Sequence, residues 1–325
     1  MNSSETSETA RTGRECGLTP QGTVNDTSSE VYCWLVFITV ISIITCPITT
    51  FLNALIIVAV KTKNQVRAKS NIALACLSST DAVMGVIGLP LFISWLIVEL
   101  QGNTSGMHCE LIGFSRTSLR LLGIASLLHL AMVNVERYIA IKHSLRYEII
   151  VTEARLIGVS ALLWTITLLS KFLTNISINY VQFDIGLTSL CTASIFSCQV
   201  VLYYETRRHK KKIALQQISV EAREKFLREK KALKQTTTVI FCVIICYLPI
   251  IISRVFISTF GILNSVNSVY FVHFTGVFFV ISNSLLNPII HCVRMKQFGL
   301  ALKELNQYSG APNVNFRKIS VRKTI

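Results

Sequence analysis

Long apolar runs dominate this chain and decide what it can fold into. A helix needs about 20 predominantly apolar residues to cross the hydrocarbon core of a membrane. Only 15% of the 325 residues are charged and 51% are hydrophobic, whereas a soluble domain carries about 25% charged residues. The sequence therefore predicts an all-α protein, a seven-transmembrane helix bundle. The seven apolar runs lie at about 34–60, 70–98, 110–141, 155–174, 182–205, 235–260 and 268–292.

The positions of the basic residues predict which helix ends face the cytoplasm. Most of the 32 Lys and Arg residues follow runs one, three, five and seven. Loops rich in Lys and Arg stay on the cytoplasmic side of a membrane. We therefore expect the N-terminus outside and the C-terminus inside, in a multi-pass protein of the plasma membrane. These loops account for the net charge of +15, so no nucleic-acid partner is expected.

Four glycosylation sequons agree with this orientation, because each falls in a segment that the charge pattern places outside. They begin at Asn2, Asn25, Asn103 and Asn175. The chain accordingly divides into a glycosylated extracellular tail (1–33), a transmembrane domain (34–293), an amphipathic stretch (294–306) and a cytoplasmic tail (307–325). Residues 1–30 are polar, so no cleavable signal peptide is expected.

Three of the ten cysteines lie on the predicted outer side, where disulfides form. They are Cys16, Cys33 and Cys109. We expect one pair among them and one thiol left over, with Cys109 bonded either to Cys16 or to Cys33. The other seven fall within or at the ends of the apolar runs, where a free cysteine behaves as a small apolar residue.

Several motifs follow one another through the apolar runs. The third run ends in Glu136-Arg137-Tyr138, and a charged pair at a membrane boundary is costly unless it has a function. The other motifs are Asn53 in span one, Asp81 and Pro90 in span two, Trp164 in span four, Cys246-Tyr247-Leu248-Pro249 in span six and Asn283-Ser284-Leu285-Leu286-Asn287-Pro288-Ile289-Ile290-His291 in span seven. With these motifs, the chain resembles the rhodopsin-like (class A) G-protein-coupled receptors over about residues 34–300.

This resemblance implies a receptor that converts the binding of an extracellular ligand into activation of a heterotrimeric G protein. It also implies that 294–306 forms a short helix on the membrane surface. The short outer loop without Cys before span five, and the absence of Pro from that span, are similar to the melanocortin, lysophospholipid and cannabinoid receptor branch. No enzyme is expected, because no catalytic constellation appears. The alternatives are a constitutively active or non-signalling receptor homologue, and a membrane transporter, although no internal repeat typical of transporters is visible.

Arg137 is the predicted centre of the inner site. The resemblance implies that Glu136, Arg137 and Tyr138 contact the G protein. It further implies an ionic latch, in which Glu136 and Glu229 hold Arg137 and keep span six against span three until a ligand opens it. Glu229 lies 20 residues before Pro249. Its alternative role is that of one charge on a solvated helix face.

Asp81 is the second predicted site, because a carboxylate in mid-membrane needs polar partners. Partners at matching depth are Asn53, Ser126, Asn283, Ser284 and Asn287. The resemblance implies that this cluster holds a sodium ion, and all-oxygen coordination suits a hard cation. A water cluster without an ion is the alternative, and no other metal or cofactor is expected.

Residues of spans six and seven are expected to switch conformation. They are Tyr247, Pro249, Pro288 and His291. Proline removes a backbone hydrogen bond and kinks a helix, so small motions above Pro249 can swing the inner end of span six. Tyr247 stands where most members of the family have Trp, and His291 replaces the family's Tyr. Core packing is the alternative role of Tyr247.

The outer half of span three predicts an anionic ligand. Amine receptors of the resembled family carry an Asp where this chain has Leu119. Instead, Arg116 and Arg120 lie at i and i+4 on one helix face, and Arg254 adds a cation in span six. Arginine binds carboxylate or phosphate in bidentate geometry.

A structural role for two of these arginines stays open. Arg116 can extend outward to the membrane surface, and Arg120 can pair with an internal acid such as Asp184 or Glu110. Ile281 stands where opsins of the family carry the lysine that binds retinal, so no retinal is expected.

The cytoplasmic segments suggest two further partners. Few phosphate acceptors follow Phe298, so any arrestin contact would rest on a sparse set of phosphosites. They are Ser309, Ser320 and Thr324, with Tyr308. The basic cluster from Arg207 to Lys212 would attract anionic membrane lipid.

Overall fold

All regular structure in the described part of this protein is helical, as the apolar runs predict. The structure is a computed structural model that describes residues 28–62, 68–101, 106–143, 146–176, 180–215, 241, 244–252, 255 and 266–294. The surface helix predicted over 294–306 lies outside the described residues, apart from Arg294.

The first three predicted spans are long helices. Helix α1 covers Ser29–Thr62. Helix α2 covers Lys69–Val83 and passes through a π-helical turn, Met84–Gly88, into α3, Leu89–Gln101. The second span is therefore one helix of 33 residues, Lys69–Gln101, with a widened turn inside it. Helix α4, Gly106–Lys142, is the third span.

The remaining helices follow the predicted order. Helix α5, Tyr147–Ile150, is a single turn on the inner side. Helices α6, α7 and α8 cover Glu153–Ile176, Tyr180–Leu215 and Val266–Arg294. Residues 244–252 form a helical stretch within the predicted sixth span.

Five helices in the described residues are long and apolar enough to cross a membrane. These membrane-spanning candidates are Ser29–Thr62, Lys69–Gln101, Cys109–Lys142, Glu153–Lys171 and Phe271–Ile290. The fifth predicted run lies within α7, and the described part of the sixth lies in the helical stretch 244–252.

Two clusters of buried apolar side chains hold the bundle together. The inner cluster includes Leu74, Leu77, Leu127, Leu130 and Tyr247. The outer cluster includes Leu35, Met84, Phe92, Leu122 and Phe274. Asp81 lies between the Leu77 and Met84 positions of its helix, and Ser126 lies between Leu122 and Leu127. A buried polar layer therefore separates the two clusters.

The first two spans are in close backbone contact at Gly85. A Cβ atom placed on Gly85 would lie 2.5 Å from Thr50 Oγ1 and 2.9 Å from the Thr50 backbone nitrogen. Cys46 Sγ donates to the Gly85 carbonyl at 3.3 Å. Small residues allow this kind of close backbone contact between membrane helices. The absence of a side chain at Gly85 thus sets the distance between α1 and the π-helical turn.

Replacing Gly85 with alanine should destabilise the protein by about 1–3 kcal/mol, the usual cost of overpacking a core. The new methyl group would meet backbone atoms of α1, which cannot move without displacing the helix. The matched control is Gly113→Ala, because a Cβ there meets nothing within 4 Å. The melting temperature of the solubilised protein measures both effects. Equal melting temperatures for the two variants would contradict this account.

Candidate functional site

The ion pair at the inner end of α4 is buried. Glu136 and Arg137 are 2% and 6% exposed, and Arg137 Nε lies 3.4 Å from Glu136 Oε2. The distance makes this an ion pair, yet neither atom makes an aligned hydrogen bond within the described residues. The contact is an ion pair and not a hydrogen bond, because 3.4 Å is long for a charge-assisted hydrogen bond.

Helix α5 completes this inner site. The Tyr147 hydroxyl donates to Glu136 Oε1 at 2.5 Å, so Glu136 contacts Tyr147 with one oxygen and Arg137 with the other. Lys69 at the start of α2 forms an ion pair with Glu148 at 2.5 Å and donates to its carbonyl at 2.9 Å. The short helix α5 is thereby attached to both α2 and α4, and it positions the carboxylate of Glu136.

The other predicted members of the inner site are less fully described. Tyr138 is half-buried, and its hydroxyl accepts from Lys142 Nζ at 2.5 Å, one helical turn away. Glu229, the second predicted acid of the ionic latch, lies outside the described residues. The structure therefore describes the contact of Glu136 with Arg137, and the ionic latch stays a prediction.

Asp81 accepts hydrogen bonds from two other helices. Its Oδ1 accepts from Ser126 Oγ at 3.1 Å and from Ser284 Oγ at 2.8 Å. Its Oδ2 accepts from Asn287 Nδ2 at 2.8 Å. Asn53 of α1 reaches the same layer by donating to the Ser284 carbonyl at 3.0 Å. This buried polar layer therefore joins α1, α2, α4 and α8.

The polar layer also contains acceptor oxygens that no donor among the described residues reaches. The side-chain oxygens of Asn53, Asn283 and Asn287 are buried and have no hydrogen-bond partner among the described residues. Unsatisfied buried acceptors require an explanation such as a bound ion or water. Three amide oxygens, two hydroxyls and one carboxylate form the oxygen-only donor set that a hard cation prefers. The residues present thus fit sodium.

Tyr247 connects the sixth span to the third. It is 3% exposed, and its hydroxyl donates to the Gly123 carbonyl of α4 at 3.1 Å. Pro249 lies in the same helical stretch, and Pro288 lies inside α8. His291 is in the last turns of α8, and its side chain lies outside the described part of the structure.

Replacing Tyr247 with phenylalanine should raise the basal activity that the resemblance implies, which is activation of a heterotrimeric G protein. The change removes one hydrogen bond, worth about 0.5–1.5 kcal/mol, that holds span six against α4. The balance between closed and open forms should therefore shift by about 2- to 10-fold. Nucleotide exchange normalised to surface expression measures the shift, with Tyr204→Phe as the control because Tyr204 is exposed. Unchanged or reduced exchange in Tyr247→Phe would assign the hydroxyl to packing alone.

The predicted ligand residues differ in how deeply they are buried. Leu119 is buried in the outer cluster, with its Cδ2 3.5 Å from the point where a Cβ on Gly88 would lie. Arg116 is exposed and Arg120 is half-buried. Arg254 lies outside the described residues. Arg120 is therefore the more buried of the two described arginines.

A buried acidic residue in the outer half was not predicted from the sequence. Glu99 of α3 is 7% exposed, and its Oε1 accepts from Trp95 Nε1 at 2.9 Å. The Trp95 ring lies 5.6 Å from that of His273 and 5.0 Å from that of Phe274, between ring centroids. An acid inside an apolar run is the signal that would have found it.

Two more groups in the bundle were missed. His129 is fully buried between α4 and α6, with Nδ1 at 2.8 Å from the Ala125 carbonyl and Nε2 at 2.9 Å from Ser160 Oγ. Asn134 is 1% exposed, and neither atom of its amide has a partner among the described residues. Both are polar side chains in an otherwise apolar run, which is the same signal.

The outer cysteines and sequons are partly described. Cys109 is disulfide-bonded, whereas Cys33 is a free thiol. The pairing of Cys109 with Cys33 is therefore excluded, and Cys16 lies outside the described residues. Among the sequons, Asn175 lies in the last turn of α6, and the other three lie outside the described ranges.

Comparison with known proteins gives one family. The family model described as "7 transmembrane receptor (rhodopsin family)" matches residues 52–291. A histamine H2 receptor from Rattus norvegicus is 24% identical over 328 aligned positions, which cover 94% of this chain and 88% of the relative. The histamine H2 receptor of Homo sapiens is 23% identical over 312 positions, covering 89% and 84%. A melatonin receptor type 1C from Gallus gallus is 30% identical over 143 positions, covering 44% and 40%.

Proposed function

This chain belongs to the rhodopsin family of seven-transmembrane receptors, and we propose that it responds to an anionic extracellular ligand at the plasma membrane. Signalling from a bound ligand to a heterotrimeric G protein follows from membership of the family. Receptors of this family are not enzymes. The proposal adds the charge of the ligand, the sodium ion and the roles of individual residues.

The buried pair of Glu136 and Arg137 carries the proposal for the inner site. A charge at a membrane boundary is costly, so a pair that is buried and imperfectly hydrogen-bonded is suited to being opened. When span six moves away, the guanidinium of Arg137 becomes available to a segment of the G protein. Since a guanidinium offers five donors, it can hold backbone carbonyls of an inserted helix end. Glu136 remains attached to Tyr147 during that change.

The ligand is proposed from the residues of this chain rather than from its relatives. Those relatives are named for two different ligands, histamine and melatonin, and identities of 23–30% do not select between them. Leu119 offers no charge to an amine, whereas Arg116 and Arg120 offer two cations one helical turn apart. A carboxylate or phosphate group matches that pair. Likeness to the melanocortin, lysophospholipid and cannabinoid branch stays a prediction.

Replacing Arg120 with glutamine should weaken an anionic agonist by about 10-fold or more. A hydrogen bond to a charged group contributes about 1.5–3 kcal/mol, and 1.4 kcal/mol corresponds to tenfold in affinity. Dose–response curves for the agonist measure the loss at matched surface expression. Arg120→Lys keeps the charge without the bidentate geometry, so it should lie between glutamine and the wild type. Loss of surface expression in both variants would instead assign Arg120 to a structural ion pair.

Sodium is the proposed ion of the buried polar layer. Asp81 would supply the negative charge, and the hydroxyl oxygens of Ser126 and Ser284 with the amide oxygens of Asn53 and Asn283 would complete the donor set. A bound cation that prefers this closed arrangement stabilises it by mass action. The Asp81 carboxylate already accepts three hydrogen bonds from protein groups. A cluster of water molecules is therefore the alternative to sodium as the occupant of this layer.

A cell-based screen tests the function as a whole. Cells expressing the chain are exposed to pooled lysophospholipids, fatty acids, carboxylates, amines and peptides while second messengers are recorded. We expect a response to an anionic pool that Arg120→Gln removes. A response confined to amines would contradict the proposed ligand charge and leave the receptor class intact. Uptake of the active compound without any second-messenger response would favour a transporter.

Further partners are proposed from the cytoplasmic segments, which lie largely outside the described residues. The basic cluster that begins at Arg207 is proposed to contact anionic lipid of the inner leaflet. The sparse phosphate acceptors of the tail make arrestin a weaker proposed partner than the G protein.

A further inference from the structure

Asn134 carries a buried amide that has no hydrogen-bond partner among the described residues. Its side chain is 1% exposed. Both Oδ1 and Nδ2 lack a hydrogen-bond partner in the part of the chain that the structure describes. Most buried side-chain polar groups are hydrogen-bonded, so each exception requires an explanation. A buried amide that is satisfied only in another conformation is one such explanation.

The position of Asn134 identifies the group that could satisfy it. Asn134 lies three residues before Arg137, and residues at i and i+3 are neighbours on one face of a helix. Side chains of a helix also point back toward its N-terminus and lie over the preceding turn. A guanidinium extending from Arg137 along α4 would therefore reach the amide of Asn134.

The present partner of Arg137 is less favourably placed. Glu136 is the adjacent residue, and adjacent residues do not face each other on a helix. Their contact is 3.4 Å long, and Arg137 Nε makes no aligned hydrogen bond within the described residues. Glu136 has a second partner in Tyr147. Both Arg137 and Asn134 thus have unused hydrogen-bonding capacity one helical turn apart.

We propose that Asn134 is a positioning residue that accepts a hydrogen bond from the guanidinium of Arg137 once the contact with Glu136 opens. The bond would use part of the guanidinium to fix Arg137 away from Glu136, would leave its other donors for the G protein, and would stabilise the open form. This role rests on the proposed function of Arg137. It also accounts for a buried amide that has no partner among the described residues.

The test uses receptors in lipid nanodiscs and measures GTP-analogue exchange on purified heterotrimers without added ligand. Glu136→Gln is the background, because it removes the charge that holds Arg137 and should raise basal exchange. In that background, Asn134→Leu should lower exchange by about 10-fold, the factor expected for losing one hydrogen bond to a charged group. Asn134→Asp should preserve or raise exchange, because a carboxylate accepts more strongly from arginine.

A purely structural role would give a different pattern. If Asn134 positions Arg137, Asn134→Leu should lower exchange without lowering the melting temperature, because leucine removes an unsatisfied buried amide. If its role is structural, the melting temperature should fall as well. Thr167→Val is the matched control, since Thr167 is buried and donates only within its own helix to the Leu163 carbonyl. Equal exchange in Glu136→Gln with and without Asn134→Leu would overturn the proposal. So would a lower melting temperature with a proportional loss of exchange.

No exchange from Glu136→Gln with any G-protein class would overturn the proposed function itself, and this role of Asn134 with it.

Discussion

Replacing Arg137 with alanine should abolish G-protein activation, with nucleotide exchange falling at least about 10-fold. Arg137 lies at the inner end of α4 and is 6% exposed. Its guanidinium is the group that we expect to meet the G protein when span six moves. Alanine removes every donor at that position, whereas the Glu136 carboxylate keeps its hydrogen bond from Tyr147. Exchange in membranes, normalised to surface receptor, measures the loss.

Two further variants separate this role from a general effect of charge. Arg146→Ala removes an exposed arginine on the same side of the membrane, and it should leave exchange near the wild-type rate. Arg137→Lys should fail to restore exchange, because an ammonium group lacks the planar fork of donors. Full exchange by Arg137→Ala at normal surface expression would refute the proposed inner site.

Replacing Asp81 with alanine should be the most destabilising of these substitutions. The change removes the acceptor of Ser126, Ser284 and Asn287, which lie on α4 and α8. Each buried donor left unpaired costs about 1–3 kcal/mol. We therefore expect a large fall in melting temperature and poor surface expression. Ser94→Ala is the control, because that exposed hydroxyl donates only within its own helix.

A milder variant tests the sodium ion. Asp81→Asn keeps an acceptor oxygen but removes the charge that a cation needs. The wild-type receptor should melt at a higher temperature in sodium chloride than in choline chloride of equal ionic strength, and Asp81→Asn should lose that difference. Equal melting temperatures for the wild type in the two salts would favour the water cluster instead.

Much of the fold could be predicted because membranes impose simple rules on sequence. The apolar runs predicted the long helices, since each must satisfy its backbone hydrogen bonds within itself. The polar layer was predicted on similar grounds. Ser126, Ser284 and Asn287 bond to Asp81 directly, and Asn53 reaches the layer through the Ser284 carbonyl. Polar residues at matching depth have few other partners available.

Contacts that depend on the rotation of one helix against another could not be predicted in the same way. Apolar runs are hydrophobic on all faces, so the sequence does not indicate which face of α4 meets which neighbour. The bond from Tyr247 to the Gly123 carbonyl depends on that rotation. The bond from Tyr147 to Glu136 depends on where α5 folds back. Whether the buried amide of Asn134 has a hydrogen-bond partner among the described residues depends on the same rotation.

Nucleotide exchange with purified components tests the central claim most directly. The wild-type chain, Glu136→Gln and Arg137→Ala are each placed in lipid nanodiscs with heterotrimers of every G-protein class. The account predicts exchange above the receptor-free baseline for the wild type, a higher rate for Glu136→Gln and the baseline rate for Arg137→Ala. Baseline exchange by both the wild type and Glu136→Gln with every class, from folded receptor, would contradict it.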